Sequence, residues 1–203
     1  MVLHVWSLKF SFLVYLDFEC RFVYHFRFFN HFGTIFSFVT SDITSKLNIL
    51  EDFRGANEAA YDTVQSMITH EQSTGVLDEE MSGKSKGKSG CRTLLRLHRA
   101  LKFCYKLIED AIAMADDGKM SNVAWNAYQE TLANYHTWII RKGVGVAVYT
   151  LPTKKNLFKK VGGDAGDSCE LGEKLMQDAV DSIVPVYEIV QQEYANNELL
   201  ELP

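Results

Sequence analysis

The chain has 203 residues, of which 47% are apolar and 23% are charged, and it contains only three prolines. This composition is typical of a folded protein of one or two domains and excludes a long disordered chain. The formal net charge of −5 does not favour a nucleic-acid coat. The charge is unevenly distributed, because residues 164–203 carry a net charge of −9 and residues 1–163 carry +4.

The cysteines and the N-terminal segment bear on the cellular compartment. Cysteines at positions 20, 91, 104 and 169 have separations that suggest neither a zinc site nor a redox dithiol. Residues 1–16 lack the basic start and the small-residue cleavage site of a signal peptide. Charged residues interrupt the early apolar run at Asp17, Glu19, Arg21 and Arg27. We therefore expect a cytosolic protein that contacts membranes only at their surface.

The N-terminal part of the chain is unusually aromatic. Ten of the thirteen phenylalanines fall between Phe10 and Phe38, which is more than one ordinary helix face needs. These side chains either form a wall of the core or line a space for an apolar ligand, and a core wall is the commoner arrangement. Further along, apolar residues at steps of three and four predict a helix over residues 32–55, with Ile43, Leu47 and Leu50 on its buried face.

A second helix is predicted from Asn57 to about His70, closed by Gly75. Residues 82–90, SGKSKGKSG, contain no apolar residue and predict a surface loop that carries Lys84, Lys86 and Lys88. The glycines of this segment are one residue too close for a phosphate-binding P-loop, and residues 76–81 before it are acidic rather than an apolar strand. The loop serves solubility or, as a sharper hypothesis, attraction to anionic lipid.

The remaining pattern predicts further helices and an all-α fold. Helices are expected over residues 91–115 and from Ser121, as N-cap, through Tyr128 and Tyr135 to Ile139. Residues 143–148 fit either a short strand or a glycine-weakened helix, and the lack of a partner strand favours the helix. A last helix begins near Cys169, uses Leu171 and Leu175 on its apolar face and contains Pro185. Six to eight helices would form packed layers.

Several charged residues are candidates for binding, although none identifies a function alone. Arg92, Arg96 and Arg99 follow one another at steps of four and three on one strip of a helix, which is either a solvated face or an anion site. Asp42 and Lys46 have the spacing of a helical salt bridge. His136 is either a core histidine or a ligand contact. An acid-base enzyme would need a second carboxylate close by on the same face, and the sequence pattern does not place one there.

Four separate segments resemble the glycolipid transfer protein superfamily, and most closely its ceramide-1-phosphate transfer protein branch. They are GTIFSFVTSDITSKL (33–47), GCRTLLRLHRAL (90–101), YHTWIIRKGV (135–144) and the final ELLELP. The similarity extends over residues 29–203 in order, whereas residues 1–28 form an atypical aromatic segment that does not align. The resemblance implies a two-layer all-α sandwich of about eight helices that holds one sphingolipid, with its chains in an apolar tunnel and its headgroup at the surface.

The resemblance also implies roles for individual residues. Asp42 matches the family carboxylate that accepts from the sphingoid amide, and His136 matches the histidine that donates to the acyl carbonyl. Lys46, Arg92 and Arg96 match the cationic triplet that holds the phosphate in this branch, and Arg96 stands where glycolipid-specific members have a Trp. The triplet with Asp42 has a net charge of +2, against about −1.5 to −2 for a phosphomonoester.

The implied activity is the transfer of ceramide-1-phosphate between membranes, with no enzymatic step, metal, ATP or other cofactor. Trp138 matches the family's interfacial tryptophan and is expected to dock at the bilayer, together with Lys84, Lys86 and Lys88 of the loop. A monomer is expected. Glycolipid transfer and a lipid sensor on the same fold are the alternatives.

Overall fold

Helices make up most of residues 37–83, 89–116, 118–163 and 168–203, which are the residues that the computed structural model describes, with side chains from residue 41 onward. Eight α-helices and no β-strand lie in this part of the chain, which confirms the all-α prediction. They are α1 (Ser37–Ala56), α2 (Val64–Ser73), α3 (Val76–Met81), α4 (Gly90–Ala113), α5 (Met120–Thr131), α6 (Trp138–Ala147), α7 (Lys154–Gly162) and α8 (Ser168–Asn196). None of the described helices is long and apolar enough to cross a membrane.

The described residues divide into two compact units. The first contains Ser41–His98 and Glu188–Pro203, and the second contains residues 37–40 and Arg99–Tyr187. Helices α1, α4 and α8 contribute residues to both. The sequence boundary expected at residue 28 lies outside the described residues, so the division into residues 1–28 and 29–203 stays a prediction.

The apolar face predicted for the first helix is confirmed where the structure describes it. Ile43, Leu47 and Leu50 of α1 are all buried, and each contributes about 1.5–3 kcal/mol through removal of its side chain from water. Phe32 and Phe36, the first positions of the predicted stripe, lie outside the described residues. Helix α2 adds further buried side chains to the first unit, including Met67 and Ile68.

Helix α2 begins seven residues later than the sequence pattern predicted. A capping box starts it, because the Thr63 hydroxyl accepts from the Ser66 N–H at 2.9 Å and the Ser66 hydroxyl accepts from the Thr63 N–H at 3.0 Å. Before it, Asn57 Oδ1 accepts from the Ala60 N–H at 3.3 Å in a turn. The predicted start at Asn57 was therefore wrong, since local side-chain bonds to the backbone favoured the turn.

Helix α3 occupies residues 76–81, for which the sequence pattern predicted no helix. Gly75 adopts the left-handed backbone conformation, with φ of 76°, and separates α2 from α3. Leu77 and Glu80 are buried although their neighbours Asp78 and Glu79 are exposed. The sequence pattern did not predict this short helix, because three of its six residues are acidic and Leu77 is its one buried apolar residue.

The helix predicted from Ser121 to Ile139 is two helices. Helix α5 begins at Met120 after Lys119, so Ser121 is not the N-cap, and it ends at Thr131. A 3-10 helix at Ala133–Tyr135 follows, and His136 and Thr137 are extended before α6 begins. Ile139, the last apolar position of the single predicted helix, is exposed on α6.

Residues 143–148 are helical, as expected, and the chain continues through a 3-10 helix at Val148–Thr150. Helix α7 was not predicted. Its N-cap is Thr153, whose hydroxyl accepts from the Asn156 N–H, and it buries Leu157 and Phe158.

The early face of α8 differs from the predicted one. Leu171 and Leu175 are exposed, whereas Met176, Val180 and Ile183 are buried. A Cβ atom at Gly172 would overlap the carbonyl of Phe158, so α7 and α8 are in backbone contact at this glycine. The close approach, rather than the leucine pattern, decides which face of α8 is buried.

Gly172→Ala should lower the free energy of unfolding by about 1–3 kcal/mol, because the added methyl group cannot fit without a backbone shift. Gly143→Ala is the matched control, since nothing lies within 4 Å of a Cβ atom there and alanine favours a helix by up to about 1 kcal/mol. Urea unfolding of both variants, followed by circular dichroism, measures the difference. Equal stability of the two variants would contradict the backbone contact.

Candidate functional site

A buried carboxylate from α2 organises the start of α4. Glu71, which is only 1% exposed, accepts from the Gly90 N–H at 2.6 Å and from the Cys91 N–H at 3.2 Å. The Ser89 hydroxyl donates to the same carboxylate at 2.6 Å and accepts from the Arg92 N–H at 3.1 Å. The first three N–H groups of α4 are therefore all satisfied, and a negative charge lies at the positive end of the helix dipole.

The surroundings of Glu71 are closely packed. Tyr61 donates its hydroxyl to Glu71 at 3.2 Å, and burial together with the carboxylate raises the pKa of the Tyr61 phenol far above its usual range. The same two causes raise the pKa of the Cys91 thiol, so this thiol stays protonated. A Cβ atom at Gly90 would come within 2.9 Å of the Tyr61 ring and 2.8 Å of Met67 Sδ. A larger residue at position 90 would require the Tyr61 and Met67 side chains to shift.

Arg92, on the first turn of α4, forms an ion pair with a buried acid. Its Nη1 lies 2.7 Å from Glu80 Oε2, and Glu80 is 1% exposed. A buried carboxylate needs such a partner, and removing either member of a half-buried pair is costly. The solvated-face interpretation is therefore wrong for Arg92. Sequence reasoning missed Glu80 because the helix that carries it was not predicted.

Arg96 lies one turn after Arg92 on α4 and is exposed. Its Nη2 donates to the main-chain oxygen of Pro203 at 3.2 Å. The segment that ends in Pro203 is held by Leu199 and Leu202, both of which are buried. The final ELLELP segment thus fixes the guanidinium of Arg96 at the surface of the first unit.

Asp42 and Lys46 form the ion pair that their spacing predicted. The Lys46 ammonium contacts Asp42 Oδ1, and the Asp42 side chain is 67% exposed. Both residues lie in the first unit with Arg92 and Arg96. These four residues carry the predicted net charge of +2, and the Glu80 carboxylate that pairs with Arg92 lowers the net charge of the whole group to +1.

The break between α5 and α6, in the second unit, holds His136. Its Nδ1 lies 2.9 Å from the Tyr128 hydroxyl, and its main-chain oxygen accepts from Arg141 Nε at 2.9 Å. The ring is half-buried, so it is neither a core histidine nor a fully exposed one. Arg99, the third arginine of the strip, also belongs to this unit, with its guanidinium carbon 3.8 Å from the centroid of the Tyr135 ring.

The surface of α6 is apolar and basic. Trp138 is 70% exposed and Ile139 73% exposed, and the Lys142 ammonium lies 5.8 Å from the centroid of the Trp138 ring. Tyr149, in the following 3-10 helix, is 80% exposed. Exposed large apolar side chains at this density mark an interaction surface. The other residues expected to dock at a membrane, Lys84, Lys86 and Lys88, lie outside the described residues.

The first unit therefore contains Asp42, Lys46, Arg92 and Arg96, and the second contains His136 and Trp138. Among the residues that the structure describes, no three His, Cys, Asp or Glu side chains lie close enough to hold a metal ion. Within the all-helical part of the chain that the structure describes, Arg92 and Arg96 lie on the first two turns of α4, and guanidinium groups are suited in general to carboxylate and phosphate partners.

Comparison with known proteins identifies the family. A family model described as Glycolipid transfer protein (GLTP) matches residues 19–163. The chain is 42% identical over 177 residues to the ceramide-1-phosphate transfer protein of Danio rerio, which covers 87% of this chain and 82% of the relative. The Homo sapiens protein of the same name is 38% identical over 178 residues, covering 87% and 81%. The chain belongs to the glycolipid transfer protein family, as the resemblance indicated.

A solved structure agrees with this assignment. The crystal structure of human ceramide-1-phosphate transfer protein in complex with 12:0 ceramide-1-phosphate has a TM-score of 0.82 and 34% sequence identity, and the match covers 98% of this chain and 94% of that chain. The fold expected from the resemblance is thereby confirmed. Both relatives and the protein of this solved structure are ceramide-1-phosphate transfer proteins.

Glu71→Ala should lower the free energy of unfolding by about 3 kcal/mol or more. Two backbone N–H groups and the Ser89 hydroxyl lose a buried acceptor, and each unpaired buried group costs about 1–3 kcal/mol. Glu51→Ala, an exposed substitution on α1, should change stability by less than about 0.5 kcal/mol. Urea unfolding measures both, and a loss no larger for Glu71→Ala than for the control would show that Glu71 does not cap α4.

Proposed function

We propose that this protein transfers ceramide-1-phosphate between membranes without altering it chemically. The observation that supports this most directly is the pair of arginines on α4, Arg92 and Arg96, one turn apart and each fixed by an acceptor within the first unit. Guanidinium groups held in place are suited to a phosphate, because their N–H donors match its oxygens in geometry and charge. Family membership and the named relatives support the same ligand.

The headgroup assignment follows from charge. Lys46, Arg92 and Arg96, with the acids paired to them, leave a net charge of +1, which a phosphomonoester neutralises and a neutral sugar does not. The bond to Pro203 occupies one of the five N–H donors of the Arg96 guanidinium. The absence of a tryptophan at position 96 also disfavours a glycolipid, since family members specific for sugars stack them on that side chain.

The ceramide part of the lipid is assigned to two polar groups. Asp42, with a carboxylate fixed by Lys46, would accept from the sphingoid amide N–H. His136, held by Tyr128 and Arg141, would donate to the acyl carbonyl. Neither role requires bond making or breaking, so a cycle of extraction, carriage and release suffices.

The exposed side chains of α6 are proposed as the membrane-docking surface. Trp138 and Ile139 would enter the headgroup region, where an amphipathic indole is favourable. Arg141 and Lys142 on the same helix would be attracted to anionic lipid at roughly 1 kcal/mol each. We place the protein in the cytosol as a monomer that touches membranes peripherally.

Arg96→Gln should reduce the transfer of fluorescent ceramide-1-phosphate between vesicles by about tenfold or more, since a hydrogen bond to a charged group contributes about 1.5–3 kcal/mol. Lys102→Gln removes an exposed charge from the same helix and should leave the rate nearly unchanged. Arg96 is a cleaner test than Arg92, because Arg92→Leu would leave Glu80 buried and unpaired.

Galactosylceramide, measured in parallel, separates the alternatives. Wild-type transfer of the phosphate lipid alone supports the proposal, whereas equal transfer of both lipids would favour a glycolipid carrier. An unchanged lipid preference in Arg96→Trp would contradict the role of the cationic triplet in headgroup selection. Tight binding of ceramide-1-phosphate without transfer would favour a sensor.

Trp138→Ala should slow transfer several-fold while leaving the thermal unfolding midpoint unchanged, because the side chain is exposed and contributes little to the core. Leu175→Ala, an exposed apolar substitution on the acidic helix α8, is the matched control and should transfer lipid at the wild-type rate. Co-sedimentation with anionic vesicles measures docking directly. Equal vesicle binding by the two variants would exclude α6 as the docking surface.

A further inference from the structure

The imidazole of His136 is held by a buried tyrosine. Tyr128, which is 2% exposed, places its hydroxyl 2.9 Å from His136 Nδ1, and the two ring centroids lie 5.6 Å apart. We propose that Tyr128 is a positioning residue that fixes the tautomer of His136, so that Nε2 carries the ring hydrogen and donates to the lipid's acyl carbonyl. The lipid contact rests on the proposed function, whereas the tautomer does not.

The direction of the hydrogen bond follows from acid-base chemistry. A neutral imidazole has one nitrogen that accepts and one that donates, and the bond made by one nitrogen decides the state of the other. A phenol hydroxyl is a good donor and imidazole nitrogen a good acceptor. Burial raises the pKa of Tyr128, so its hydroxyl keeps the proton that it donates, although the Arg141 charge opposes this shift. Nδ1 therefore accepts, and Nε2 carries the hydrogen.

The backbone around His136 is also held in place. Residue 136 is extended between the 3-10 helix and α6, with φ of −106° and ψ of 143°, and Arg141 Nε holds its main-chain oxygen. The ring position is thus set from both the side chain and the main chain. Rotation of the imidazole about its Cβ–Cγ bond would break the bond to Tyr128.

Tyr128 is itself held by a neighbouring aromatic ring. The centroid of Trp125 lies 5.7 Å from that of Tyr128, and the Trp125 ring packs against the backbone of α6 at Gly145, where a Cβ atom would lie 3.4 Å from it. A continuous row of contacts, from Gly145 through Trp125 and Tyr128, therefore ends on the His136 ring. Gly145 contributes close packing to this row, besides weakening the helix propensity of α6.

Without the Tyr128 hydroxyl, the His136 imidazole could adopt either neutral tautomer. In Tyr128→Phe the ring packing is retained, but the Nδ1–H tautomer becomes available and turns a lone pair at Nε2 towards the lipid. A carbonyl oxygen opposite a lone pair is repelled rather than bound. The hydroxyl thus acts on the lipid only through the histidine.

Long-range proton–nitrogen correlation spectra of the full chain, labelled with nitrogen-15 histidine and free of lipid, test the tautomer. The His136 resonances are identified by their loss in His136→Asn. We expect the Nε2–H pattern in the wild type and in Tyr135→Phe, the control at the adjacent exposed tyrosine, and an Nδ1–H or mixed pattern in Tyr128→Phe. A wild-type Nδ1–H or imidazolium pattern, or an unchanged pattern in Tyr128→Phe, overturns the inference.

Binding of ceramide-1-phosphate by the same variants tests the consequence for the lipid. Tyr128→Phe should weaken binding about tenfold and Tyr135→Phe should not, with thermal unfolding confirming that both are folded. A changed tautomer with unchanged affinity overturns the role in recognition. A wild-type chain that has the Nε2–H tautomer but binds no ceramide-1-phosphate overturns the proposed function, and with it the lipid contact, while the tautomer assignment stands.

Discussion

The two ends of α4 are held by buried side chains from other helices, and the charge of each complements the helix dipole. At the N-terminus the Glu71 carboxylate accepts from the N–H groups of Gly90 and Cys91. At the C-terminal end the Lys154 ammonium, also buried, donates to the carbonyls of Ile112 at 2.9 Å and Met114 at 2.8 Å. Both contacts satisfy groups that a helix leaves unpaired and place the favourable charge at each end. The position of α4 along its own axis is therefore fixed within each unit.

The cationic site depends on this position. Arg92 and Arg96 occur on the first two turns of α4, so a shift of the helix start would move both guanidinium groups together. Glu80 and the Pro203 carbonyl then hold the two side chains individually. A site whose side chains are already ordered loses less conformational entropy when it binds a ligand. The buried acid also lowers the net charge, which moderates attraction to the anionic headgroup that a carrier must release.

The break between α5 and α6 determines where His136 and Trp138 lie in the second unit. An uninterrupted helix would have placed Tyr135 and Ile139 on one face. The 3-10 helix and two extended residues instead leave His136 beside Tyr128 and start a new helix with Trp138 exposed. The interruption of the helix thus separates His136, which is proposed to bind the ceramide, from Trp138, which is proposed to dock at the membrane.

The sequence by itself determined the helical class, the buried face of α1, the Asp42–Lys46 pair and, through four short segments, the family. These features depend on residues close in the chain or on motifs, which a one-dimensional pattern records. Only the tertiary structure decided that Glu71 caps α4, that Glu80 pairs with Arg92 and that Gly172 rather than Leu171 faces the core. Each of these depends on what a distant segment places beside the residue. A buried glutamate and an exposed one look the same in sequence, because burial and its compensating partner come from the packing of other helices.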